Sequence, residues 1–103
     1  MTRFSIGAVL AVLAACGSAQ AQTAKGELIA TEQCAGCHAV KPGQQSPNPK
    51  APAFASLAAD PSITELSLRA FLRTPHWTMP NIILKPDDID EVAAYIVSLK
   101  PKP

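Results

Sequence analysis

Residues 34 to 38 read Cys34-Ala35-Gly36-Cys37-His38, which fits the C-x-x-C-H attachment pattern of a c-type haem. Two thiols at this spacing can each form a thioether bond to one of the two vinyl groups of a haem. The histidine that follows is then held beneath the iron, where an imidazole nitrogen can ligate it. The motif therefore predicts one covalent haem c, attached through Cys34 and Cys37 and ligated by His38.

The first 21 of the 103 residues have the pattern of a secretory signal peptide. Thr2-Arg3 gives a positive start, Phe4 to Ala15 is an uncharged apolar run, and Ser18-Ala19-Gln20-Ala21 ends in an A-x-A cleavage pattern. The apolar run is well short of the roughly 20 residues that a membrane-spanning helix needs. We therefore expect removal of residues 1–21, export to the periplasm and a single mature domain over residues 22–103.

Cys16 offers an alternative processing site. Leu13-Ala14-Ala15-Cys16 resembles a bacterial lipobox, in which the signal ends before the cysteine and that cysteine is lipidated. The A-x-A pattern at Ala21 favours cleavage there instead. In the alternative, a lipid on Cys16 would be the domain's contact with a membrane and would leave its fold unchanged.

The composition of residues 22–103 limits the function classes. Loss of Arg3 leaves eight basic and eight acidic side chains, so the domain carries no basic field for nucleic acid. A domain this small usually needs a stabilising element besides its core, such as disulfides or a bound cofactor. A disulfide between Cys34 and Cys37 would close a tiny loop and constrain little of the unfolded chain. A large apolar cofactor, around which the chain can wrap, would stabilise it far more.

Apolar periodicity and capping signals predict three helices. The first runs from about Ala24 to Cys34, with Leu28 and Ile29 on its apolar side. The second begins with a capping box at Ser62-Ile63-Thr64-Glu65. It stops near Arg73, because Pro75 disfavours helical geometry at the residue before it. Its predicted apolar positions are Leu68, Phe71 and Leu72.

The third helix begins at Pro86, a favoured first position, and ends before Pro101. The acidic run Asp87-Asp88-Ile89-Asp90-Glu91 lies at the positive end of its dipole. One apolar stripe follows the helix and comprises Ile89, Val92, Ala93, Ile96 and Leu99. We find no strand signal and no internal repeat.

Two connections differ in character. Lys41 to Pro52 is rich in proline and poor in core residues, which predicts an extended surface loop. Thr74 to Lys85 contains Trp77, Met79 and the run Ile82-Ile83-Leu84. Loops usually avoid such residues, so we expect this one to pack against an apolar surface.

Few side chains can take the iron position opposite His38. Removal of Met1 leaves Met79 as the one methionine, and His76 is the one other histidine. Met79 is favoured, because Pro80 restricts its backbone and the apolar residues around it need a surface to cover. His76 is expected at the surface or facing a haem propionate. Trp77 is expected at the haem edge or in ordinary core packing.

Two other chemistries could use Cys34 and Cys37. A dithiol redox site would place the motif at a helix start after a strand, and no strand signal precedes it. A structural zinc site needs about four ligands. Cys34, Cys37, His38 and His76 could supply them, but adjacent Cys37 and His38 fit one tetrahedron poorly.

The mature region resembles the small bacterial class I c-type cytochromes with one haem per chain. The resemblance rests on the haem motif at the end of the first helix, the Met79-Pro80 step downstream and the last helix with Val92-Ala93-Ala94-Tyr95-Ile96. It implies that Gly26 and Tyr95 lie where the first and last helices cross. Ala30 replaces an aromatic residue there, which implies a smaller contact. Pro52 is the nearest match to the proline whose carbonyl orients the ligating histidine.

The resemblance implies an all-α, cytochrome c-like fold with three or more helices wrapped around the haem. It implies a periplasmic electron carrier with His38 and Met79 as axial ligands, acting as a monomer with transient redox partner proteins and without catalytic activity of its own. Two alternatives remain at this point. The chain could be the haem-bearing subunit of a larger oxidoreductase complex, or a ligand-sensing cytochrome in which Met79 is displaced from the iron.

Overall fold

The computed structural model describes residues 21, 23–74, 78–80 and 82–102. The described part contains helices and no strand, so the predicted all-α fold is confirmed. Helix α1 spans residues 23–33, and it is followed by α2 (Phe54–Ala59), α3 (Glu65–Leu72) and α4 (Pro86–Ser98). No helix among these residues is long and apolar enough to cross a membrane.

Helices α1 and α4 cross closely at Gly26. A Cβ atom at this glycine would lie 2.7 Å from the carbonyl carbon of Glu91 and 2.8 Å from Cβ of Tyr95. No side chain fits between the two backbones, so the crossing requires glycine at this position. Ala30, one turn further along α1, is completely buried. The close crossing implied by the resemblance is therefore present, with the small Ala30 side chain beneath it.

The third predicted helix is confirmed as α4. Pro86 occupies its first turn with Asp87 and Asp88, and Leu99 is the C-cap, two residues before Pro101. Four of the five predicted stripe residues are buried, and Leu99 is partly buried against the core. Tyr95 is also buried, so the apolar face of α4 is wider than the predicted stripe.

The predicted N-cap of α3 is wrong by two residues. Thr64, not Ser62, is the cap: its side chain accepts from Ser67 N at 3.1 Å, while Thr64 N donates to Ser67 Oγ at 2.9 Å. Ser62 is instead held by Asp60, whose Oδ1 accepts from both the backbone N and the Oγ of Ser62. The predicted end of the helix near Arg73 is confirmed.

Two residues predicted to lie on apolar helix faces are exposed. Leu28 is 57% exposed. Gly26 and Ile29, three residues apart, share the face of α1 that is buried against α4, and Leu28 lies outside that face. Phe71 is 50% exposed, because α3 presents Leu68 and Leu72 to the core at positions four residues apart.

The two long connections behave differently from each other. Residues 41–52 are largely exposed, as the proline content predicts. In the segment between α3 and α4, Leu84 packs against the core and Ile82 is half-buried, but Ile83 is 97% exposed. Side chains alternate in direction along extended backbone, so the run Ile82-Ile83-Leu84 cannot bury all three. His76 and Trp77 lie outside the described residues.

Candidate haem site

The motif residues form a tight turn that continues from α1. Cys34 N donates to Ala30 O at 2.8 Å, and His38 N donates to Cys34 O at 2.9 Å. This winding leaves Cys34 half-buried against the core and Cys37 exposed, with the half-buried His38 directly after them. The structure therefore brings together the three residues that the motif predicts to act as one unit.

Cys34 is in an environment that keeps its thiol neutral. Both Cys34 and Cys37 are free rather than joined in a disulfide, and burial raises the pKa of the Cys34 thiol to about 11. A dithiol redox centre needs a reactive thiolate, which this burial disfavours. The described residues also contain no group of three His, Cys, Asp or Glu side chains that could hold a metal ion. Burial of Cys34 therefore disfavours the dithiol alternative, and the fourth ligand of the zinc alternative, His76, lies outside the described residues.

The orientation of the His38 ring is fixed from one side. Nδ1 lies 2.7 Å from the carbonyl oxygen of Pro52, and because a carbonyl can only accept, Nδ1 carries the proton and donates. The other ring nitrogen, Nε2, then keeps its lone pair and can ligate a metal. The Phe54 ring packs at a tilt against the imidazole, with centroids 5.4 Å apart. The Pro52 contact that the resemblance implies is present.

A backbone network holds the Pro52 carbonyl in place. Asn48 N donates to Cys37 O at 3.1 Å, and Phe54 N donates to Ala39 O at 2.9 Å, which ties the two sides of the proline-rich loop together. Within the loop, Ser46 Oγ accepts from Ala39 N at 3.0 Å. Loop 41–52 is therefore a structural support for His38. The proline content predicts the loop, but nothing in the sequence singles out Ser46 or Asn48 as its supports.

Met79 lies in the segment between α3 and α4. It is half-buried and contributes to a cavity of about 420 Å³ beside the end of α3 and the start of α4. His38 is not among the residues that line it. The cavity lining is mainly apolar and comprises Leu72, Arg73, Thr74, Met79, Pro80, Ile82, Ile83, Leu84, Pro86 and Ile89.

The donor set fits a c-type haem. Cys34 and Cys37 provide two unpaired thiols for the vinyl groups, and His38 provides an imidazole with a free Nε2. Met79 provides a thioether among apolar side chains. An imidazole and a thioether are the pair of iron ligands found in cytochromes c.

The profile of the cytochrome c family, described as "Cytochrome c", matches residues 23–100. The chain belongs to the cytochrome c family. It is also 40% identical over 94 residues to a protein named cytochrome c-552 from Bradyrhizobium diazoefficiens, an alignment that covers 90% of each chain. No solved structure shows a significant match to the chain.

Family membership establishes the cofactor and the general role. The chain carries covalently bound haem c, with Cys34 and Cys37 at the spacing of the attachment motif. It is a haem-bearing electron carrier that exchanges electrons with redox partner proteins. Phe54 is a part of the site that the sequence analysis missed, and the position of an aromatic residue two places after Pro52 was the available signal.

Proposed function

We propose that this cytochrome is a periplasmic single-haem electron carrier whose iron is ligated by His38 and Met79. The observation that carries the proposal is the 2.7 Å hydrogen bond from His38 Nδ1 to the Pro52 carbonyl. This hydrogen bond fixes the tautomer in which Nε2 is available to iron. It also orients the imidazole ring through Nδ1, the ring nitrogen that does not face the iron.

Met79 is the proposed second ligand because its thioether is soft and lies in apolar surroundings. The bound haem supplies the one-electron couple of its iron. A His and Met pair raises the reduction potential relative to two nitrogen ligands. With both axial positions taken by His38 and Met79, no position is open for a substrate, so we propose that the chain transfers electrons and performs no catalysis of its own.

The periplasmic location is supported by the signal pattern of residues 1–21, with cleavage after Ala21 and lipidation at Cys16 as the alternative. We propose that the mature domain is a monomer that docks transiently with partners over a small surface. Intact mass of the purified protein tests the processing directly. It reports the cleavage point, the haem and any lipid in one measurement.

The axial ligation is tested by comparing Met79→Ala with His76→Ala. The ferric wild-type protein should show the weak iron–sulfur charge-transfer band at the red end of its spectrum. We expect Met79→Ala to abolish this band and lower the reduction potential, because the thioether is lost, and His76→Ala to retain both. A band that survives Met79→Ala would remove Met79 from the site. Carbon monoxide binding to the reduced wild type at neutral pH would favour the ligand-sensing alternative.

A further inference from the structure

Ion pairs join the two helices that flank the Met79 segment. Asp90 Oδ1 on α4 lies 3.3 Å from Arg69 Nε on α3 and 3.7 Å from an Nη atom of Arg73, the C-cap of α3. Asp90 Oδ1 and Arg69 Nε are both fully shielded from solvent. Arg69 is held in addition by Glu65 within its own helix, at 2.7 Å. We call Arg69, Arg73 and Asp90 the α3–α4 clamp.

The clamp lies at the base of the Met79 segment. That segment starts where α3 ends, at Leu72, and finishes where α4 begins, at Pro86. Leu72 and Pro86 both line the cavity that Met79 lines, and so does Arg73 of the clamp. Among the described residues, no ion pair outside the clamp joins α3 to α4. The clamp therefore joins the two helix ends that flank the segment, in addition to the apolar packing of Leu68 and Leu72 against the core.

We propose that Asp90 is a positioning residue for the axial ligand: by holding Arg69 and Arg73 it fixes the spacing of α3 and α4 and keeps Met79 at the iron. The inference rests on the proposed ligation by His38 and Met79. Local openings depend on the contacts near the opening segment, and at this base they are the clamp and the apolar packing of Leu72 and Leu84 against the core. The clamp side chains are about one third to one half exposed, so their loss should weaken the local closure while global stability changes little.

The test measures the rate at which added imidazole displaces Met79 from ferric iron in the haem-loaded protein. Loss of the charge-transfer band reports the displacement. We expect Asp90→Asn to raise this rate by about three- to tenfold, the range that loss of weak ion pairs would give. The matched control is Asp87→Asn, which makes the same change of charge in the same helix. Asp87 is exposed and forms no ion pair with either arginine, so its variant should stay within about twofold of wild type.

A second variant keeps the proposal testable if Asp90→Asn folds poorly. Arg73→Gln should also raise the rate, and the double variant should fall short of the product of the two single effects, because both remove the same pair. Equal rates for Asp90→Asn and Asp87→Asn would overturn the proposal, as would a fall in the unfolding midpoint with no change in rate. Absence of the band from wild type would overturn the ligation itself, which is a separate result.

Discussion

Tyr95 is the chain's one tyrosine, and its hydroxyl connects the last helix to the haem motif. The hydroxyl is buried and donates to Val40 O at 2.6 Å, two residues after His38. Its Cβ lies against Gly26 at the crossing of α1 and α4. One side chain thus contacts both the helix that precedes the motif and the backbone that follows it, so its loss should affect stability and the motif together.

Tyr95→Phe should lower the free energy of unfolding by about 1–3 kcal/mol, because the buried Val40 carbonyl loses its donor. Burial, and then the nearby Glu27 carboxylate, raise the pKa of Tyr95 above its ordinary value of 10.0. The unfolded state therefore ionises first, and the stability that Tyr95 provides is complete below pH 10 and is lost as the pH rises through the folded pKa.

Urea unfolding of both proteins from pH 7 to pH 11 measures this effect. The difference in stability between wild type and Tyr95→Phe should be constant up to about pH 9 and should shrink above pH 10. A difference that stays constant through pH 11 would contradict burial of the hydroxyl in the native state.

The residues of the haem site differ in whether the sequence alone could predict them. The C-x-x-C-H motif determines its own ligand chemistry, so Cys34, Cys37 and His38 could be predicted from it. Ser46 and Asn48 could not, because each acts through one hydrogen bond whose geometry depends on the path of the whole loop. Asn48 in a proline-rich loop indicates a turn, but it does not indicate which backbone atom the turn will hold.

At the scale of elements, α2 was not predicted at all. It has six residues, no charged side chain and no side-chain cap at Ala53. Isolated helices of this length are unstable in water, so their formation depends on tertiary packing rather than on local sequence signals. Burial of Phe54 and Ala58 provides that packing here. The longer α4 was predictable because its initial proline, its acidic first turn and its apolar stripe each indicate a helix over the same residues.

Helix α3 tests cap selection directly, because two candidate caps lie two residues apart. Thr64→Ala should destabilise the protein by about 0.5–2 kcal/mol, since Ser67 N loses its acceptor at the start of the helix. Ser62→Ala is the matched control, and it should cost less than about 0.5 kcal/mol because Ser62 is exposed and bonds through its hydroxyl to Asp60 alone. Thermal unfolding of the two variants decides between them, and a larger loss for Ser62→Ala would restore the cap predicted from the sequence.

At the scale of the whole molecule, the described residues form a small core. Its buried apolar residues are Ile29, Ala30, Ala39, Val40, Phe54, Ala58, Leu68, Ile89, Val92, Ala93, Tyr95 and Ile96. Within this described part, only Ile96 and Val92 are large side chains with almost no exposed surface. Cores of domains with fewer than roughly 80 residues rarely provide more than about 3–5 kcal/mol. We therefore expect the covalent haem to stabilise the fold in addition to serving as the redox centre.

Preventing haem attachment should therefore destabilise the fold strongly. We expect a Cys34→Ala/Cys37→Ala double variant, checked to be haem-free by absorbance, to have an unfolding free energy below about 3 kcal/mol and reduced helical circular dichroism. The single variants Cys34→Ala and Cys37→Ala keep one thiol for attachment and should be intermediate. Cys37 is exposed, so alanine removes little packing there, whereas Cys34 is half-buried against the core and its single variant also reports the loss of that packing. A cooperative transition at the wild-type midpoint in the haem-free double variant would mean that the helices support one another without the cofactor.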